Sequence, residues 1–164
     1  MRKVAAAQNV SRMCFVCGLE NPGGLSARFF ETDDGSLIGE FSPCEHHQGY
    51  PGRLHGGVAT TILDETMGRA ISISDPSAWG VTVDLAVRFR RPVPLDSPVR
   101  AVARITADRG RIFEGEGEIV LADGTVAVSA TGRYLRQDIT KIAQGDFDQE
   151  WFSDPRDLPD AIDI

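Results

Sequence analysis

A histidine, two adjacent glycines and a carboxylate stand close together in the middle of this 164-residue chain, as His55-Gly56-Gly57 and Asp64. Glycines at the start of a helix leave backbone N–H groups bare at the positive end of its dipole. Such a place holds an anion, or an oxygen on which negative charge develops during a reaction. A carboxylate inside a mostly apolar helix can activate water as a general base, or attack a carbonyl itself. Two carboxylates compete for that role. Glu65 has Arg69 four residues on, which gives it an ordinary surface partner. Asp64 has Thr60 and Gly68 at those spacings and no base, so it is expected to be unpaired along its own helix with a raised pKa.

These groups need elements to hold them. From Val58 the apolar residues Val58, Ile62, Met67 and Ile71 recur at helical spacing, which predicts a central helix over 57–73. Pro76 stops it. From His55 to Asp64 such a helix turns about 900° and rises about 13 Å, so Asp64 cannot reach the His-Gly-Gly end of its own helix. If the two act together, the second comes from another copy of the chain. A dimer with a shared site is therefore expected.

Around the helix the pattern changes to period two. Residues 25–31 and 36–41 alternate and are joined by Thr32-Asp33-Asp34-Gly35, a hairpin signal. Residues 81–89, 99–107, 112–121 and 125–134 read as four further strands. In the third of these, Glu114, Glu116 and Glu118 share one face, and Phe113, Gly115, Gly117 and Ile119 the other. The glycine face is where the helix can approach closely. Two strands, one long helix and four strands give an α+β chain with one helix on an antiparallel sheet.

Composition sets outer bounds. The chain is expected to be one core domain over residues 25–136, with an arm over 1–24 and an acidic tail over 137–164. The net charge of −7 is uneven: residues 137–164 carry −6 and residues 1–136 carry −1. Residues 1–13 lack a strong period and are expected to be a mobile or docking arm. The tail holds one aromatic pair, Trp151-Phe152, through which it packs as an arm or without which it stays disordered. An acidic chain without basic patches argues against nucleic acid as a partner. No apolar run approaches the ~20 residues of a membrane span, and the N-terminus does not read as a signal peptide. Three cysteines is an odd count that favours a reduced, cytoplasmic setting. Cys14 and Cys17 form a Cys-x-x-Cys pair, for which Cys44, His46 and His47 are the further ligand candidates of a zinc knuckle. No second Cys-x-x-Cys is present, and the expectation is a loop brace with no metal.

His55-Gly56-Gly57 with Asp64-Glu65-Thr66, Thr82 and Phe89-Arg90-Arg91-Pro92-Val93-Pro94 resembles the signature of hotdog-fold acyl-CoA thioesterases of the phenylacetate-degradation type. The resemblance covers roughly residues 14–136 and implies a hotdog fold, a long helix wrapped by a curved antiparallel sheet. It implies a homo-oligomer, a dimer or dimer of dimers, whose active sites are shared between subunits. It also implies hydrolysis of an acyl-CoA to an acid and free coenzyme A, with no cofactor beyond the CoA of the substrate. In that reading Asp64 is base or nucleophile, and the Gly56 N–H, helped by Gly57, holds the oxyanion. His55 positions the thioester or fixes the loop by hydrogen bonding, and Thr82 orients the nucleophile or water. Many relatives carry Asn or Gln six residues before the histidine, where this chain has Gly49. The polarising amide is then missing, supplied by Gln48, or replaced by His47. Gln48, Gly57 and Glu65 are the substrate-binding candidates. A non-catalytic acyl-CoA or lipid-binding module and a zinc-braced interaction domain are the rival readings.

Overall fold

The computed structural model describes residues 1–164. One sheet of eight strands runs in the order β10 (Ala161–Ile162), β1 (Arg2–Ala7), β3 (Arg28–Thr32), β4 (Leu37–Phe41), β6 (Val99–Asp108), β7 (Ile112–Val120), β8 (Val126–Gln137), β5 (Trp79–Phe89). The six strands from β3 to β5 in that order are the predicted set, with β5 at the edge. Every pairing between neighbours is antiparallel. One helix, α1 (Gly56–Arg69), lies against β4 to β8 and continues as a 3₁₀ turn over Ala70–Ile73. The α+β reading of one helix on an antiparallel sheet holds.

Local chemistry explains the elements. At the β3–β4 turn, Asp34 Oδ1 accepts the Ser36 N–H at 3.1 Å, and Gly35 takes φ +78°, the left-handed region open to glycine. Asp123-Gly124 repeats the device between β7 and β8, with the Thr125 N–H on Asp123 Oδ1 at 2.9 Å. His55 caps α1: its Nδ1 accepts the Gly57 N–H at 2.9 Å.

The helix buries Ala59, Ile62, Leu63, Thr66 and Met67, followed by Ala70 and Ile71. Val58, which the sequence pattern put on that face, is only half-buried. Fully burying residues of the size of Ile62, Leu63 and Met67 stabilises by about 1.5–3 kcal/mol each. The helix comes close because β7 presents glycines to it. A Cβ at Gly117 would stand 3.0 Å from Met67 Cγ and 3.3 Å from Leu63 Cδ2.

Both chain ends dock on the core, and each contributes strands. Residues 1–13 contain β1 (Arg2–Ala7) and β2 (Val10–Ser11). β1 pairs with β3 through a bulge between Val4 and Ala6. Beyond a single turn, α2 (Ile139–Ile142), the tail supplies β9 (Trp151–Phe152), which pairs with β2, and β10 (Ala161–Ile162), which pairs with β1. The aromatic pair is the anchor: Trp151 packs edge-on against Trp79 at 5.2 Å, and the Arg69 guanidinium lies 4.7 Å over its ring. Arg28 fixes the same segment through Asp154 at 2.9 Å. β1 was not read from its own pattern because its strand character comes from distant partners on both sides.

Candidate active site

Asp64 sits two-thirds of the way along α1, half-buried, at the wall of a cleft of about 550 Å³. Thr82 Oγ1 donates to its carboxylate at 3.0 and 3.2 Å. Tyr134 OH lies 3.2 Å from both Asp64 Oδ1 and the Asp64 backbone carbonyl. All three residues line the cleft. Burial pushes the Asp64 carboxyl above its ordinary range, the bonds from Thr82 and Tyr134 draw it part of the way back, and the Glu65 charge adds to the rise. Burial, with the Asp64 charge beside it, pushes the Tyr134 phenol up, which keeps it a donor.

Two features place these donors. β5 and β8 change register between Thr82 and Asp84, a bulge that re-aims Thr82. Tyr134 lies in a slot of glycines: a Cβ at Gly68 would stand 3.2 Å from its ring, and one at Gly132 2.7 Å from its hydroxyl. Its ring stacks on Phe113 at 5.1 Å. The sequence reading missed Tyr134. The available signal was a polar tip on a buried-face position of β8, opposite glycine-rich β7.

The other residues fall in two groups. Glu65 and Arg69 make the expected i,i+4 pair at 2.7 Å, and both line the cleft. Gln48, Gly49, His55, Gly56 and Gly57 lie at the N-terminal end of α1, away from it. There the Gly57 N–H is held by His55, whereas the Gly56 N–H has no acceptor within the chain. A Cβ at Gly49 would stand 3.2 Å from His55 Cα and 3.3 Å from its ring, so a larger residue at this position would move the histidine. Gln48 Oε1 accepts the Gly52 N–H at 3.3 Å. His47, expected on an exposed loop, is buried; its Nδ1 accepts the Cys44 N–H at 3.1 Å and its ring packs against Phe41. It braces the loop before the helix.

The helix thus separates Asp64 from His55-Gly56 within one chain, as its geometry requires. β5 carries both ends of the arrangement. It is the edge strand of the sheet, and Val81, Val83 and Phe89 are 40%, 54% and 55% exposed along it. Thr82 reaches Asp64 at one end. At the other, a Cβ at Gly56 would stand 3.4 Å from the Phe89 ring.

One long helix lying on a large antiparallel sheet is the hotdog arrangement. Residues 51–128 match the family model of the thioesterase superfamily. It is 30% identical to the acyl-coenzyme A thioesterase THEM4 of Bos taurus over 129 residues, 77% of this chain and 52% of that protein. The chain spans about half the length of the curated relatives it matches. Among solved structures, a thioesterase superfamily protein superposes with a TM-score of 0.70 at 33% identity, over 77% of this chain and 64% of that one. A Bacillus halodurans protein solved with CoA shares the fold at a TM-score of 0.62 and 23% identity, over 69% and 75% of the two chains. No helix of the protein is long and apolar enough to cross a membrane.

Proposed function

We propose that the chain is an acyl-CoA thioesterase acting as a homodimer, or a dimer of dimers, in the cytoplasm. The observation that carries the reading is the Asp64 carboxylate, raised in pKa by burial and held by Thr82 and Tyr134 at the wall of a cleft. The thioesterase relatives and the CoA-bound neighbour support the substrate class.

The second half of the site comes from a second copy. The seven residue steps of β5 from Thr82 to Phe89 span about 23 Å. Antiparallel pairing of β5 with its copy about the midpoint of that stretch lays the Gly56 end of one chain over the Asp64 end of the other. It also covers the exposed Val83 and gives the open edge a partner. Asp64 takes a proton from water, and the resulting hydroxide attacks the thioester carbonyl. The carbonyl oxygen becomes an oxyanion facing the Gly56 N–H, with His55 and Gly57 fixing the loop that presents it. The carbon–sulfur bond then breaks, and coenzyme A leaves as thiolate and takes up a proton. Direct attack by Asp64, giving a mixed anhydride that water cleaves, uses the same groups.

Gly49 favours a second reading, a module that binds acyl-CoA without turning it over, because this position offers no side-chain amide to the carbonyl. Thiol release and equilibrium binding over short, long and aromatic acyl-CoAs separate the two. Turnover of at least one substrate is expected. Binding without thiol release from any of them would replace the enzyme with the module.

A further inference from the structure

The Cys-x-x-Cys pair has no part in the proposed hydrolysis, yet it lies at the same cleft. The ligand atoms of Cys14, Cys17 and Glu65 all fall within 4.8 Å of one another. Cys17 is fully buried, while Cys14 and Glu65 line the cleft. The companions suggested by sequence stay elsewhere. Cys44 and His47 contact each other in the loop before α1, and neither joins this cluster. The third ligand comes from the helix.

Both sulfurs receive N–H donors. The Val16 N–H lies 3.3 Å from Cys14 Sγ, within a turn closed by the Gly18 N–H on the Cys14 carbonyl at 2.8 Å. Arg69 Nη2 lies 2.9 Å from Cys17 Sγ, and its Nε holds Glu65 Oε1 at 2.7 Å, which leaves Oε2 free. Donors of this kind stabilise sulfur carrying negative charge and orient metal ligands. Two thiolates and a carboxylate against one guanidinium leave two negative charges, the charge a divalent ion neutralises. Thiolate with carboxylate suits zinc, whose tetrahedral ligands stand about 3.5–3.8 Å apart given bond lengths of about 2.0–2.3 Å. Closing the cluster onto an ion therefore asks for movements of about 1 Å by side chains at the cleft wall.

We propose that Cys14, Cys17 and Glu65 form a zinc site, with Arg69 as its hydrogen-bonding support and a fourth position open to the cleft for water. The site ties the N-terminal turn to the face of α1 that carries Asp64. It stands apart from the thioesterase reading, since metal uptake is measured without turnover.

The test uses the full chain, reduced and confirmed to hold three free thiols. Equilibrium dialysis against Zn²⁺ is expected to give one ion per chain, and Co²⁺ to give an intense sulfur-to-cobalt absorption band. Cys14→Ser should abolish that band. Glu65→Gln should keep the band and weaken Co²⁺ affinity about tenfold or more. Near-UV circular dichroism confirms folding of each variant, and Glu65→Gln decides the matter if Cys14→Ser does not fold. Uptake of neither ion by the reduced wild type, or affinity unchanged in Glu65→Gln, would overturn the site.

Discussion

Asp64 shows what a single residue contributes and what it costs. A half-buried carboxylate is penalised when ionised, and Thr82 and Tyr134 offset part of that penalty. Asp64→Asn keeps the shape, removes the charge and cannot act as a base. The variant is expected to lose at least about 100-fold in turnover, the lower range for a general base, while its thermal midpoint rises. Calorimetry alongside thiol release checks both. A midpoint that falls by several degrees would mean that the carboxylate serves the fold. Tyr134→Phe removes one donor and keeps the ring against Phe113, so turnover should fall about tenfold, corresponding to a hydrogen bond to a charged group, with little change in stability. That Glu65 and not Asp64 is paired along the helix was legible in the sequence, because only Glu65 has a base at i+4. Tyr134 was not, because its role depends on glycines from α1, β5 and β8 that meet only in the folded chain.

The elements are held in place by close approach. β7 gives up side chains at Gly115 and Gly117 so that α1 can lie near the sheet, and Met67 fills the space. Gly117→Val should therefore destabilise by about 1–3 kcal/mol through overpacking, measured by denaturant titration. Met67→Ala in the same chain should recover part of that loss; a double variant as unstable as the summed single ones would contradict the packing described. This face could be read in advance from the alternation of glutamate and glycine. The bulge at Thr82 could not, because an extra residue in one strand is defined only against its partner, here Arg133 and Tyr134 on β8. β1 and β10 were hidden for a similar reason: Arg2 and Lys3 are strand residues because Ile162 and Ala161 pair with them from the far end of the chain.

For the whole molecule, one long apolar edge stands open. β5 leaves Val81, Val83 and Phe89 exposed and has no strand on its outer side. Val83→Asp places a charge inside the proposed junction, beside Thr82. Sedimentation is expected to show the wild type as a dimer or larger and the variant as a monomer, with turnover lost although Asp64 is untouched. A monomeric wild type with full activity would refute the shared site. The tail docks against the start of the same strand, where its Trp151 packs on Trp79 of β5 and on Arg69. Trp151→Ala should cost about 2–4 kcal/mol, somewhat below the loss of a fully buried tryptophan. The sequence singled out Trp151-Phe152 but left the tail's course open, since neither residue shows what lies across from it.

The most direct test of the central claim is thiol release from acyl-CoA, measured side by side for wild type and Asp64→Asn on the substrate that the panel selects. The account predicts turnover by the wild type and at least about a 100-fold loss in a folded Asp64→Asn dimer. Equal rates in the two proteins would contradict it and remove Asp64 from the chemistry.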